Sequence, residues 1–292
     1  MQQNDYISYS DTDSLFIMFG AFLADNGIDT DKWNTLPQSD RVRILIKLSK
    51  AVEKVTNDRS FNELQVSDYN SFVKRDDFSI KFKQEIICSN MLHLGPKMYA
   101  YHVINNEGFD TDKVDAKGIE IVRSTSPKVL RTALKDLLEH LLKGKDDAFL
   151  NNLVEEHKKK FYKVCPEDIS INTGVNNISG YINEDYTYKK GTPYHLKGVG
   201  NYHYLLKMLD IEWKYEQIKE GDKCKVVYLR KNRYGFDVLT YYKWPKEFTQ
   251  NGIIVDYQTM IDKYFLSKAC ILLDPINRQS ILDDKSVMDE FF

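Results

Sequence analysis

The sequence is poor in cysteine, and the cysteines it has form no pattern. Cys88, Cys165, Cys224 and Cys270 include no C-x-x-C pair, and no Cys/His cluster has the spacing of zinc ligands. A disulfide framework and a zinc module are therefore excluded, and the plain reading is reduced, buried thiols in a cytosolic protein. The six histidines are scattered and none is assigned a role. Glycine and proline are scarce, at 14 and 7 of 292 residues, and 29% of the chain is charged, so long disordered tracts are not expected. No apolar run approaches the roughly 20 residues that a membrane span needs. The N-terminus, MQQNDYISYSD, has neither a basic n-region nor an apolar h-region, so no secretory signal is expected. A net charge of −2 gives no global attraction to nucleic acid, and any such contact must come from local basic patches.

What is present is apolar material, 42% of the chain, enough for one large core or two domains. The opening segment alternates apolar and polar residues. Tyr6, Ile7 and Tyr9 read as a strand, Leu15, Phe16 and Ile17 as its return, and Ser10-Asp11-Thr12-Asp13-Ser14 between them as a tight turn. A helix is expected from about Ser39, capped by Ser39 or Asp40, with Val42, Leu45, Ser49, Val52 and Val55 on one face. Phe78 to Ile87 and Met98 to Ile104 read as strands joined through Gly95-Pro96, and Asn105 to Gly108 ends the second. Strands, a helix and more strands indicate an α+β domain.

The pattern changes near Gly118 to Arg123, where the domain boundary is placed. Ser126-Pro127 reads as a helix start with Ser as N-cap. Leu130, Leu134, Leu137, Leu138 and Leu141 then recur at helical spacing, and Gly144 stops the helix. A second helix has Phe149, Leu150, Leu153, Val154 and Phe161 as its apolar face, and Lys158-Lys159-Lys160 as an ordinary solvated exterior. No internal repeat or low-complexity tract is visible.

Two aspartates on a hairpin tip are by themselves weak evidence, because turns favour Asp for local hydrogen bonding. The full string Tyr9-Ser10-Asp11-Thr12-Asp13-Ser14, followed by Leu15-Phe16-Ile17, resembles the Y-x-D-T-D-S motif of family B DNA polymerases. Ser10 stands where that family often has glycine. The resemblance implies that Asp13 is a metal ligand, with Asp11 at the edge of the site and Thr12 beside the primer. Two Mg²⁺ ions, shared with a partner chain, would stabilise the attacking and leaving oxygens of nucleotidyl transfer. Mg²⁺ suits carboxylate oxygens, and a hairpin holds them more firmly than a loose loop. Downstream, Glu85 matches an acidic residue near the metals. Lys97-Met98-Tyr99 resembles the K-x-Y motif at the primer terminus, with Met98 replacing an Arg-like residue, so that Lys97 and Tyr99 carry over.

The remainder is similar to the thumb of the replicative polymerases of T4-like bacteriophages. Gly118-Ile119-Glu120, with Arg123 and Ser124 to Lys128, resembles the palm-to-thumb joint, and Asn176-Asn177-Ile178 matches a thumb segment. Pro193 to Gly198 resembles a segment along the primer backbone, which implies DNA contacts by His195 and Lys197. Lys189, Lys190 and Lys197 cluster in a Tyr- and Gly-rich stretch where cations can approach phosphates. The tail ends in Met288-Asp289-Glu290-Phe291-Phe292. Its two rings are a natural anchor for an apolar pocket, and the family's tail docks into the sliding clamp, which points to Met288, Phe291 and Phe292.

The expected architecture is thus α+β: residues 1–118 as the C-terminal part of a palm (antiparallel sheet with helices), 119–280 as a mostly helical thumb, and 281–292 as a clamp-binding tail. The expected partners are primer-template DNA, dNTPs and the clamp, in the cytoplasm of an infected host cell, with no membrane. Neither the D-x-x-S-L-Y-P-like first aspartate motif nor the K-x-x-x-N-S-x-Y-G-like fingers helix is found, and no room remains for an exonuclease. The chain is therefore expected to be inactive alone, as the C-terminal subunit of a split polymerase completed by an N-terminal chain. The competing readings are an inactive remnant that grips duplex DNA and the clamp, and an unrelated α+β protein with a structural acidic turn.

Overall fold

In the computed structural model, residues 6–11, 13–66, 81–119 and 126–282 are described, with only the backbone for residues 30 and 60–66. The chain divides into two compact units, Met1–Gly118 and Ile119–Phe292. Both are α+β with antiparallel sheets.

In the first unit, β1 (Ile7–Asp11) and β2 (Ser14–Ile17) form a two-stranded hairpin in which Asp11 faces Ser14 and Tyr9 faces Phe16. Two short helices follow, α1 (Phe19–Asp25) and α2 (Thr30–Thr35), the latter capped by the Asp29 carboxylate, which accepts from the Asp31 and Lys32 amides. The long helix α3 (Gln38–Val66) starts directly after Pro37, whose carbonyl accepts from the Asp40 and Arg41 amides. Ser39 and Asp40 therefore lie inside the first turn rather than capping it. Val42 packs with Leu45 and Ile46 against Ile87 and Ile104, whereas Val55 is 53% exposed and falls off the expected face.

The second sheet has three strands, β3 (Ile86–Gly95), β4 (Met98–Asn106) and β5 (Phe109–Lys117), in the order β3-β4-β5. Of the strand expected over Phe78–Ile87, residues 81–85 are irregular, Ile86 and Ile87 open β3, and residues 78–80 lie outside the described residues. The polar run Phe109–Lys117 is a strand that alternation of apolar residues did not indicate. The β4–β5 turn puts Glu107 and Gly108 at positive φ, +49° and +95°, the backbone of a tight primed hairpin turn.

The second unit opens with α4 (Lys128–Leu142) and α5 (Asp147–Phe161). Pro127, not Ser126, occupies the N-cap of α4. Leu130, Leu134, Leu137, Leu138 and Leu141 are all buried, each worth about 1.5–3 kcal/mol of transfer free energy. Leu150, Val154 and Phe161 are buried on α5, but Phe149 is exposed beside the His140 ring and Lys145. The chain continues through α6 (Pro166–Ile169), β6 (Ile171–Gly174), α7 (Ile178–Tyr181), α8 (Tyr194–Met208), β7 (Lys223–Tyr228), β8 (Val238–Tyr241), α9 (Lys246–Gln250), α10 (Tyr257–Ile261) and α11 (Ser267–Leu273). A single π-helical turn, Asp262–Leu266, joins α10 to α11 and places the Lys263 ammonium 3.9 Å from the centroid of the Tyr228 ring.

A three-stranded sheet, β6-β7-β8, runs through this largely helical unit, and α8 lies on β8. The contact is close because of glycine: a Cβ on Gly198 would stand 2.4 Å from Thr240 Oγ1 and 2.6 Å from its nitrogen. The same interface is fixed by Asn201 Nδ2 donating to the Val238 carbonyl (2.8 Å) and Thr240 Oγ1 donating to the His195 carbonyl (2.6 Å). Among the described residues, no helix is long and apolar enough to cross a membrane.

Candidate functional site

The site of interest in the first unit is built by the β1–β2 hairpin and the β3–β4 turn. The Asp13 amide donates to the Asp11 carbonyl (2.6 Å), and Ser14 Oγ donates to the same oxygen (3.2 Å), which tightens the tip. Asp13 is exposed there, and the Asp11 side chain is about a third exposed. At the other turn, Lys97 adopts φ +60° directly after Pro96. A non-glycine residue at positive φ is uncommon and costs stability, so the surroundings must hold it. Two contacts do. The Lys97 amide donates to the Tyr9 hydroxyl (3.0 Å), and Gly118, itself at φ +67°, comes so close that a Cβ would stand 1.9 Å from the Lys97 carbonyl oxygen.

The Lys97 ammonium then lies 3.7 Å from the Asp11 carboxylate. The structure thus joins two motifs separated by 88 residues in sequence. Beneath them is an aromatic cluster. Tyr9 packs on His93 (4.8 Å) and Tyr99 (5.3 Å), and Phe16 packs on Tyr99 (5.4 Å) and Tyr101 (5.9 Å). Edge-on and tilted pairs of this kind add to the stabilisation from burial. Burial pushes the Tyr101 hydroxyl up to about 12, helped by nearby acids, first among them Asp115.

Two of the expected residues lie away from the open tip. Tyr99 is 5% exposed, and its place is that of a core aromatic seating Tyr9, not of a residue open to a ligand. Glu85 is exposed, but its carbonyl accepts from the Glu107 amide, which fixes it at the end of the β3–β4 ladder opposite the Lys97 turn. On the order of 30 Å of strand separates them, at ~3.3 Å per residue. Glu85 is therefore not brought to the hairpin tip. Thr12, Arg123, Met288, Phe291 and Phe292 lie outside the described residues. His93, Phe16 and Gly118 act at this site without having been singled out for it. Gly118 alone carried a signal, a glycine closing a polar strand.

The remaining candidates belong to the second unit. Lys197 lies on helix α8, not in a loop, and its glycine neighbours serve helix–strand packing instead of phosphate approach. Burial lowers the His195 pKa. Lys190 is exposed beside Gly191. Asn177 is left-handed (φ +64°), and the Glu220 carboxylate accepts from the amides of Asn177 and Ile178, so this segment has a local structural role.

The Asp11 and Asp13 carboxylates are the hard oxygen donors that Mg²⁺ prefers. They do not make a full set: among the described residues, no three His, Cys, Asp or Glu side chains are grouped to hold a metal ion. What is assembled is a partial anionic tip with one cation beside it.

No family model matches the chain. In an alignment 284 positions long that covers 89% of the chain, it is 24% identical to a DNA-directed DNA polymerase of Escherichia phage RB69, and the match covers 29% of that polymerase. The chain thus spans less than a third of the length of this distant relative.

Proposed function

We propose that the chain is the C-terminal part of a family B DNA polymerase that adds dNTPs to a primer 3′ end. In this reading the first unit is the distal part of the palm, the second the thumb, and the tail a clamp anchor. The observation that carries the reading is the joining of the aspartate hairpin to the Lys97 turn through Tyr9 Oη and the Asp11 carboxylate. A turn residue held at a strained φ beside the Asp11 carboxylate suits a cation that must meet a primer phosphate at one fixed place.

Asp13 and Asp11 would hold Mg²⁺, which supplies charge stabilisation for the attacking and leaving oxygens. The donor set is incomplete, so a further carboxylate must come from a segment carrying the first palm aspartate. Among the described residues the β1–β2 sheet has two strands, with Ile7 and Leu15 well exposed, and such a sheet gains stability from further cover. A complementing chain packed on this sheet meets both needs. Lys97 orients the primer end, and Tyr9 and Gly118 hold Lys97. The absence of a first aspartate motif from the sequence also supports the second reading, an inactive remnant that binds duplex DNA and the clamp.

The test is primer extension with Mg²⁺ and dNTPs, by this chain alone and mixed with a polypeptide carrying the fingers and first-aspartate motifs. No extension alone and robust extension in the mixture are expected. Extension by the chain alone refutes the need for a partner. Duplex binding without extension in a verified complex favours the remnant.

A further inference from the structure

The second unit contains an open cleft of about 500 Å³, away from any residue assigned above except Lys197, which borders it. Its walls are aromatic: Tyr186, Tyr188, Tyr204, Tyr234 and Phe236. The Tyr234 and Phe236 rings stack at 5.9 Å, and Tyr204 meets them edge-on at 6.4 and 5.5 Å. Cations stand over these rings. Lys197 lies 5.5 Å from the Tyr188 centroid, Lys207 lies 5.8 Å from Tyr186, and Arg233 lies 4.8 Å from Tyr234. The one carboxylate in the wall, Asp185, accepts from the amide and hydroxyl of Thr187.

The cleft is built at a cost. Tyr186 sits at φ +67°, in the left-handed region that tyrosine avoids. It rests directly on α8 because residue 200 is glycine: a Cβ there would stand 2.9 Å from the Tyr186 carbonyl oxygen. A strained tyrosine and a glycine inside a helix both weaken the fold, and together they hold an aromatic rim that is only half covered. Rings needed only for a core would be buried, as Tyr202 and Tyr241 are in the same unit.

We propose that this cleft takes an unpaired nucleobase of a single-stranded DNA segment. Aromatic faces offer stacking to any base, and ammonium and guanidinium groups at the rim suit the flanking phosphates. A base inside a duplex already has both faces covered, so the cleft discriminates against paired DNA. The choice of DNA as the polymer rests on the polymerase reading above, whereas the stacking site rests on the cleft itself.

The test is fluorescence anisotropy with the full chain and labelled DNA at fixed salt: a short oligothymidylate, an abasic oligomer of equal length, and a duplex. The oligothymidylate should bind on the order of 10-fold more tightly than the abasic strand. Tyr188→Ala, at an exposed position, and Phe236→Leu should each erase most of that difference, while Tyr204→Phe, which keeps the ring, retains it. Circular dichroism confirms that each variant is folded. Equal binding of oligothymidylate and abasic strand overturns the cleft proposal and leaves the DNA reading intact. Failure to bind any of the three DNAs overturns both.

Discussion

The two units divide labour in opposite ways. In the first, the proposed chemistry is concentrated and the core of the described residues is thin. Among its described residues only Ala100 is completely shielded from solvent, and the packing around Tyr99, Tyr101 and Val103 chiefly supports the hairpin that carries Asp11 and Asp13. In the second, the core is deep: Leu130, Leu137, Leu150, Val199, Leu205, Val226, Tyr241 and Phe265 are all fully buried, and polar groups such as Asn201 and Thr240 are satisfied inside it. A well-packed unit stands on its own hydrophobic transfer. The thin one exposes Ile7, Leu15 and Met18, a surface that further cover would stabilise. The contrast teaches that the aspartate hairpin sits where the core of the described residues is thinnest.

Substitutions that separate chemistry from stability sharpen this contrast. The largest effect is expected from Asp13→Ala. In the assembled polymerase it should lower the extension rate by at least about 10³-fold, the loss of several kcal/mol of charge stabilisation, with an unchanged melting temperature. A near-normal rate would reject Asp13 as a ligand. Leu137→Ala should do the converse. It should cost ~2–5 kcal/mol in the unfolding free energy of the second unit, read by denaturant titration, and leave hydrogen-exchange protection of β4 untouched. Equal loss in both units would break the division drawn here.

The third effect is acid loss in the second unit. His203 is buried between the rings of Tyr186 and Tyr202, and its Nε2 accepts from the Ile218 amide, so burial drives its pKa down to about 4. Its folded pKa lies below the ordinary value of about 6.5, so the unfolded state binds the proton more readily. Stability is then full above pH ~6.5 and falls as pH drops towards 4, by on the order of 3 kcal/mol. His203→Gln should flatten that dependence, and an unchanged slope would show that other groups govern it. The smallest effect is expected from Gly118→Ala, which forces a Cβ into the Lys97 carbonyl at a cost of about 1–3 kcal/mol. It should raise the primer KM more than it lowers kcat, and unaltered extension would remove Gly118 from the site.

The legible parts of the fold were those with strong periodicity or strong turn chemistry. The leucines of α4 and the alternation around Asp11 and Asp13 announced themselves, because one helix face and one hairpin turn each demand a specific residue pattern. Phe109–Lys117 did not: with Asp110, Asp112, Asp115 and two lysines it carries little apolar signal, and it becomes a strand because β4 offers it a ladder. Gly198 and Gly200 serve close packing of α8 against Thr240 and Tyr186, which only tertiary contact reveals. At the site, the pairing of Tyr9 with Lys97 was invisible, since a hydrogen bond across 88 residues leaves no local trace. Glu85 lies at the far end of the β3–β4 ladder, because the order of motifs does not fix the length of the hairpin between them.

The π turn at Asp262–Leu266 has a consequence for how this end of the chain tolerates change. A π turn holds one residue more than an α turn and absorbs it in a wider loop of backbone, so α10 and α11 keep a common phase across it. Deleting one of its five residues would restore regular winding and leave Ala269, Leu272 and Leu273 turned to the interior. What would be lost is the bulge itself, and with it the seat of Lys263 over the Tyr228 ring. A one-residue deletion here would thus be better tolerated than the same deletion inside α11, where about 100° of rotation would have no turn to absorb it.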